Sequence, residues 1–488
     1  MRSCHGALIV RVGGERGMAR RASRSRANGV LTFWARLVAL SVMLIISFAP
    51  RETKALPSFA RQTGLACGAC HTAFPKLTPK GRLFKIMGYT EMAKDTKPLG
   101  AAGWVPPVSA MTIFGFTHTN KPIDNAGSPL NTNDNVELQQ ASVFYGGAVT
   151  DHIGAFVQAT YAGPQFGSPA ASQIMWDNLD VRYANKASFN GMSVVYGVSV
   201  NNNPTVQDPW NTTPAWGYPF VASNLANTPS AKTLIDNAFA AHVLGATGYV
   251  FINELMYLEG GAYGKLDPGL QTSLGVVPVN GPQASGGIPY FRVALAPTWG
   301  KHSWEIGAFG LSANVFPAAA VAGFGSDQFR DLGIDSQYQY MGDGYVVTLR
   351  GTYLREDQLL NASLAAGAAA NPKNTLNTFR AQAELAWGGT VNKFIFTGGY
   401  FNTWGSSDTL LYAGNSTFRP NSDGFTAEVA YMPFGKTNAP QIWPWFNAKI
   451  GLQYVWYNKF NGASTNFDGM GTNARDNNTL YAFVWAAF

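Results

Sequence analysis

Charge is scarce in this sequence: Asp, Glu, Lys and Arg make up 13% of the 488 residues, against about 25% in a soluble globular chain. Phe 31, Tyr 20, Trp 13 and Gly 53 fill the difference. An unfolded chain is excluded, because disorder goes with high net charge and few aromatics. Long apolar runs are also scarce. Only one exists, near the N-terminus, so a helical membrane bundle with spans of about 20 apolar residues is excluded too. Cysteine is limited to Cys4, Cys67 and Cys70. The net charge of +7 and the isoelectric point near 9.1 would by themselves suggest a nucleic-acid or anionic-membrane partner.

The position of the charge removes that suggestion. Residues 1–55 read as a cleaved signal peptide: an Arg-rich start, an apolar run from Leu37 to Pro50, and Thr53-Lys54-Ala55 as the cleavage site. Translation could also begin at Met18. The competing reading, a transmembrane anchor, is disfavoured because 14 apolar residues are short for a bilayer. The leader holds ten Lys or Arg and two Asp or Glu, so its removal turns +7 into −1. No nucleic-acid partner is then expected. Cys4 also leaves with the leader, and the exported chain keeps only Cys67 and Cys70.

Those two cysteines stand in Cys67-Gly-Ala-Cys70-His71, the Cys-x-x-Cys-His pattern of covalent c-type haem attachment. Two thiols at this spacing add to the two porphyrin vinyl groups, and the adjacent histidine becomes the proximal iron ligand. A redox dithiol would not need His71, and a structural zinc site would need a fourth ligand. Residues 56–105 are therefore expected to form a small, mostly helical monohaem cytochrome c domain, too short to bury much core without its cofactor. For the distal position Met87 is the first candidate, with Met92 and His118 as alternatives. A methionine there could equally be a core gap-filler. This domain carries +5, leaving −6 for the remainder.

From residue 106 to 488 the chain reads as strands of about ten residues with period-two alternation, the pattern of a transmembrane β-barrel in outer-membrane lipid. Ile450, Leu452, Tyr454 and Trp456 oppose Lys449 and Gln453, while Phe379, Ala381, Ala383 and Leu385 oppose Arg380, Gln382 and Glu384. The fold class is thus all-β: an antiparallel barrel with strands starting near residues 108, 135, 152, 175, 192, 241, 254, 290, 302, 327, 344, 375, 391, 422, 447 and 477. Tight connections such as Thr150-Asp151 and Asn253-Glu254 alternate with long polar loops such as 201–240. That asymmetry places both barrel ends on the periplasmic side. The aromatic C-terminal run Leu480–Phe488 resembles the insertion signal of outer-membrane barrels. A soluble multi-sheet protein would normally carry more surface charge.

The run Leu56-Pro-Ser-Phe-Ala-Arg-Gln-Thr-Gly-Leu-Ala-Cys-Gly-Ala-Cys-His-Thr-Ala-Phe-Pro-Lys-Leu-Thr-Pro-Lys-Gly-Arg82, followed by the loop 201–217, resembles the fused monohaem cytochrome-porins of the bacterial outer membrane. The best-known members of that family oxidise extracellular Fe(II). Lys80 stands where that family carries an aromatic or apolar residue. The resemblance implies haem c on Cys67, Cys70 and His71, an Fe(II):cytochrome c oxidoreductase activity, and electrons passed inward to a periplasmic c-type cytochrome or other soluble carrier.

A haem left wholly in the periplasm could not reach an insoluble donor across an apolar band about 25 Å tall, so the haem domain is expected in the lumen as a plug or at its periplasmic mouth. Glu137, Asp180, Asp331, Asp335, Glu384 and Glu428 are the candidate lumen carboxylates facing it. Trp210, Trp216 and Tyr218 lie in the longest loop, which would either fold inward to the haem or merely pack across the mouth. No His, Asp and Glu cluster marks a dedicated iron site, which suits outer-sphere oxidation of Fe(II) or of another donor. Two other functions compete: a transport porin whose haem gates or senses, and electron export to an outside acceptor. The short tether between Met92 and Val108 favours electron transfer.

Overall fold

A computed structural model describes residues 57–94, 96, 104, 106–123, 130–163, 174–278, 281–317, 323–388, 393–433 and 446–488. The leader, and most of the tether, lie outside the described residues.

Sixteen antiparallel strands close into one barrel. They are β1 (Val108–Thr119), β2 (Asn135–Ala148), β3 (Ile153–Ala162), β4 (Ile174–Phe189), β5 (Met192–Asn201), β6 (Val243–Ile252), β7 (Met256–Lys265) and β8 (Ile288–Leu295, extended by Thr298–Trp299). The second half comprises β9 (His302–Val315), β10 (Asp327–Gly342), β11 (Tyr345–Leu359), β12 (Lys373–Trp387), β13 (Lys393–Gly405), β14 (Ser422–Met432), β15 (Asn447–Lys459) and β16 (Thr479–Ala487). Each begins within two residues of the start expected from the sequence. Closure pairs β16 with β1, from Thr479 opposite Thr119 to Ala487 opposite Met111.

Period-two alternation sorts the side chains, but in the opposite sense to a soluble sheet. In β8 the apolar Phe291, Val293 and Leu295 face outward and are exposed, whereas Arg292 faces inward and is fully buried. The same holds for Ile450 and Leu452 against Lys449 and Gln453, and for Leu385 and Trp387 against Glu384. All six carboxylates expected in the lumen are buried. Short turns gather at one end of the barrel. At Asn190-Gly191 both residues have positive φ, 48° and 78°, which is the two-residue turn whose twist matches a hairpin. Long loops gather at the other end.

The N-terminal segment lies inside the barrel. Residues 57–94 form α1 (Pro57–Thr63), α2 (Cys67–Cys70), a short hairpin pairing His71–Ala73 with Lys76–Leu77, and α3 (Pro79–Ile86). Thr78 caps α3 by accepting from the Gly81 N–H, and Pro79 opens its first turn. Contacts to the inner wall come from many sides. Ser58 and Ser109 share a hydroxyl hydrogen bond of 2.9 Å, and Gln62 accepts from the Ala148 N–H at 2.7 Å. The Tyr89 hydroxyl donates to Asp180 at 2.7 Å, the Tyr249 hydroxyl to the Ile86 carbonyl at 2.6 Å, and Arg82 to Ser303 at 2.9 Å. Gly88, with φ 66°, lies so close to β4 that a Cβ there would stand 3.3 Å from Ala184.

Candidate functional site

Two arrangements inside the barrel carry chemistry: the Cys67–His71 turn near the short-turn end, and the loop 202–242, which folds inward above it. α2 is a single turn that ends on His71, whose extended backbone (φ −123°) leads into the hairpin. Cys67 and Cys70 are free thiols. Burial pushes the Cys70 thiol up to about 11, with Glu91 adding to the rise. Lys393 and Asn447, the first residues of β13 and β15, lie against Cys67, and Lys393 Nζ donates to the Thr72 carbonyl at 3.3 Å. The His71 ring packs edge-on against Phe74 at 5.1 Å. Enclosure holds the imidazole neutral, with its pKa lowered to about 4 although the Pro75 and Lys76 carbonyls oppose the shift. Its Nδ1 is buried without a hydrogen-bond partner. A neutral imidazole is the form that ligates a metal.

α3 is held tightly against this turn. A Cβ on Gly81 would come within 2.3 Å of the Cys70 carbonyl oxygen. Gly81→Ala is therefore expected to force α3 off the cysteine turn at a cost of about 1–3 kcal/mol. Hydrogen exchange of the amides in α2 and α3 checks this. Unchanged protection would show that the approach has slack.

The other sequence candidates are dispersed. Met87 packs against the buried cluster of Ile86, Trp210, Tyr249 and Tyr257. Met92 follows Glu91, whose carboxylate is close enough to act on Cys70 and which is ion-paired to Lys80 at 2.6 Å. His118 is ten residues further along β1 than Val108, about 33 Å at strand rise, and is paired with Asp134 at 2.6 Å. Arg61 of α1 reaches the Val108 carbonyl, so His118 belongs to the opposite end of the barrel.

The charge match between residues 57–94 and the wall is more local than net charges of +5 and −6 suggest. Lys76 pairs with Glu384, yet Arg82 turns to the neutral Ser303 and Gln339, and Lys85 donates to the Val206 and Asp208 carbonyls at 2.8 and 2.7 Å. The remaining lumen carboxylates mostly serve the wall's own cations: Asp180 holds Arg182 at 2.7 Å and Glu428 holds Lys449 at 2.7 Å.

Sequence reading did not find the largest charged cluster. Arg292 meets Glu305 at 3.0 Å, Asp335 at 2.8 Å and, from the inward loop, Asp208 at 3.3 Å. All four side chains are fully buried. The available signal was a lone arginine at an inward position of an apolar strand, Ile288-Pro-Tyr-Phe-Arg-Val-Ala-Leu295. Trp210 is buried against Tyr257, with ring centroids 5.4 Å apart. Trp216 donates to the Val206 carbonyl at 3.0 Å and lies 4.6 Å beneath the Lys85 ammonium. The longest loop therefore folds inward.

Asp208 shows how firmly that loop is held. Burial alone would raise its carboxyl pKa. Arg292, Lys85 and the N–H groups of Trp210 and Thr213 outweigh burial and bring it down to about 2. A carboxyl lowered on folding contributes stability above its unfolded pKa, 3.8 here, and loses it as pH falls through the folded value. The lumen is thus expected to stay closed at pH 4 and to loosen only toward pH 2. Planar-bilayer current across that range measures this, and opening already at pH 4 would contradict it.

Among the described residues, no group of three or more His, Cys, Asp or Glu is arranged to hold a metal ion. No protein-family model matches the chain, and no curated protein is similar to it in sequence. Solved structures similar to it include OprB of Pseudomonas putida, at 12% identity over 78% of this chain and 93% of that one, with a TM-score of 0.43. They also include OmpF of Salmonella typhi in complex with daunomycin, at 10% identity over 78% and 97%, TM-score 0.42. A third is the anion-selective porin from Comamonas acidovorans, at 13% over 78% and 98%, TM-score 0.41.

Proposed function

We propose that this protein is an outer-membrane electron-transfer barrel that carries one covalent c-type haem on Cys67, Cys70 and His71, oxidises Fe(II) or a related reductant outside the cell, and serves a periplasmic carrier. The observation that carries the reading is a Cys-x-x-Cys-His turn set at the mouth of a barrel whose lumen holds residues 57–94 and the loop 202–242. Both segments are tied to the wall by buried ion pairs, which puts the thiols inside the barrel rather than on a free periplasmic domain.

The residues fit the group. Two free thiols stand three residues apart, a neutral imidazole follows directly, and its buried Nδ1 is orphaned. Bound there, a haem supplies a one-electron couple. The chain's own part is positional. α3 and Gly81 press the turn into place, and Lys76 and Arg82 anchor it to β12, β9 and β10. Exposed apolar residues around the outer wall support a lipid environment, and the short-turn end, where the thiols sit, faces the periplasm in such barrels. Fe(II), or another extracellular reductant, enters as substrate.

The full chain, exported by its own leader in a host that matures c-type cytochromes, is expected to retain one haem per polypeptide through denaturing electrophoresis, read as haem stain and as a pyridine haemochrome. A colourless, folded barrel would overturn the proposal.

A further inference from the structure

We infer that the lumen holds a binding site for a small oxyanion of phosphate or sulfate size, between the inward loop and the wall of β11–β14. A small, partly open cleft there is lined by Tyr218 of the loop and by Arg350, Arg380, Gln382 and Thr426 of the wall. Its donors are unusually unsatisfied. The Tyr218 hydroxyl, Arg350 Nε and Gln382 Nε2 are all buried without hydrogen-bond partners, and all belong to residues lining this cleft. Arg350 and Gln382 face each other across the β11–β12 ladder, so their side chains share one level of the lumen.

The charges make the same point. Arg380 is neutralised by Asp236, Lys76 by Glu384 and Lys449 by Glu428. Arg350 makes no close ion pair among the described residues, and the carboxylates Asp208, Glu384, Asp335 and Glu305 act on it only from a distance. Its guanidinium reaches only the Trp210 carbonyl, at 3.4 Å, and the face of Phe220, at 5.6 Å. A buried cation without a close partner is costly, and the unsatisfied atoms here, two N–H groups and a hydroxyl, can all donate. Three donors on residues that line one cleft, from one loop and two adjacent strands, are what an oxyanion requires. Gly399 on the adjoining wall makes room: a Cβ there would stand 2.9 Å from the Tyr218 ring. An anion bridging Tyr218 to Arg350 would also fasten the loop to the wall.

Isothermal titration of the full-length protein in detergent with inorganic phosphate or sulfate, against chloride at matched ionic strength, tests the site. Saturable binding of one oxyanion per chain is expected. Arg350→Gln, and independently Tyr218→Phe, which removes only a hydroxyl, should each weaken it about tenfold or more. Because sulfate stabilises proteins generally, the decisive comparison is wild type against these variants. No saturable binding, or binding unchanged in a folded Tyr218→Phe chain, would overturn the site. A Cys67→Ser/Cys70→Ser chain separates the sources of anion. Binding in this chain but not in haem-loaded wild type would assign the donors to a haem propionate and overturn the free-anion site, whereas equal binding in both supports it.

Discussion

Arg292→Met is expected to unlock the lumen. The guanidinium holds Glu305 and Asp335 of the wall together with Asp208 of the inward loop, and all of these groups are fully buried. Methionine fills much of the volume but leaves three carboxylates facing one another. Removing one partner from a buried ion cluster costs about 3–5 kcal/mol. The weakest tie is Asp208, because β9 and β10 are fixed by their ladder while the loop meets the wall through side-chain bonds such as Thr212 to Asp335 and Thr352 to the Thr212 carbonyl. The loop should therefore leave the wall before the barrel opens. Single-channel recording would then show discrete conducting steps absent from the wild type, with the strand content unchanged by circular dichroism. A variant as closed as the wild type would show that Trp210 packing and the remaining loop bonds suffice without the ion cluster.

Replacing both Cys67 and Cys70 by alanine is expected to abolish covalent haem completely while leaving the barrel folded. Both thioether positions are lost, and neither thiol contributes to the strand ladders or to the buried ion pairs. Haem staining should fall to background, and heat-modifiable migration, which reports the folded barrel, should persist. A single Cys70→Ala change should leave a reduced amount of haem on one thioether. Staining that survives the double change would place attachment elsewhere and remove the basis of the functional proposal.

Much of the fold was legible because a barrel wall writes itself locally. Alternation such as Ile450, Leu452 against Lys449, Gln453 depends only on neighbouring residues, and a tight turn such as Asn253-Glu254, both at positive φ, is likewise local. The Cys67–His71 spacing is legible for the same reason. The interior was not, because its partners are distant in sequence: Arg292 finds Asp208 84 residues earlier and Asp335 43 later. A net charge gave the sign of the attraction between residues 57–94 and the wall, but not its form, since Arg82 and Lys85 turned to neutral oxygens. Met87 stands close to the cysteines in sequence, but its contact with the Trp210 cluster could not be read there, because only the folded loop brings that cluster near. The orphaned donors of Tyr218, Arg350 and Gln382 have no sequence signature at all.

The central claim is that electrons cross the outer membrane through this chain. Purified protein in liposomes that enclose a soluble c-type cytochrome, with Fe(II) added outside, tests it most directly. Wild type should reduce the enclosed cytochrome while excluding small solutes, and His71→Ala should abolish reduction without making the vesicles leak. Equal reduction by wild type and His71→Ala, or solute passage through the wild-type barrel without reduction, would contradict the account.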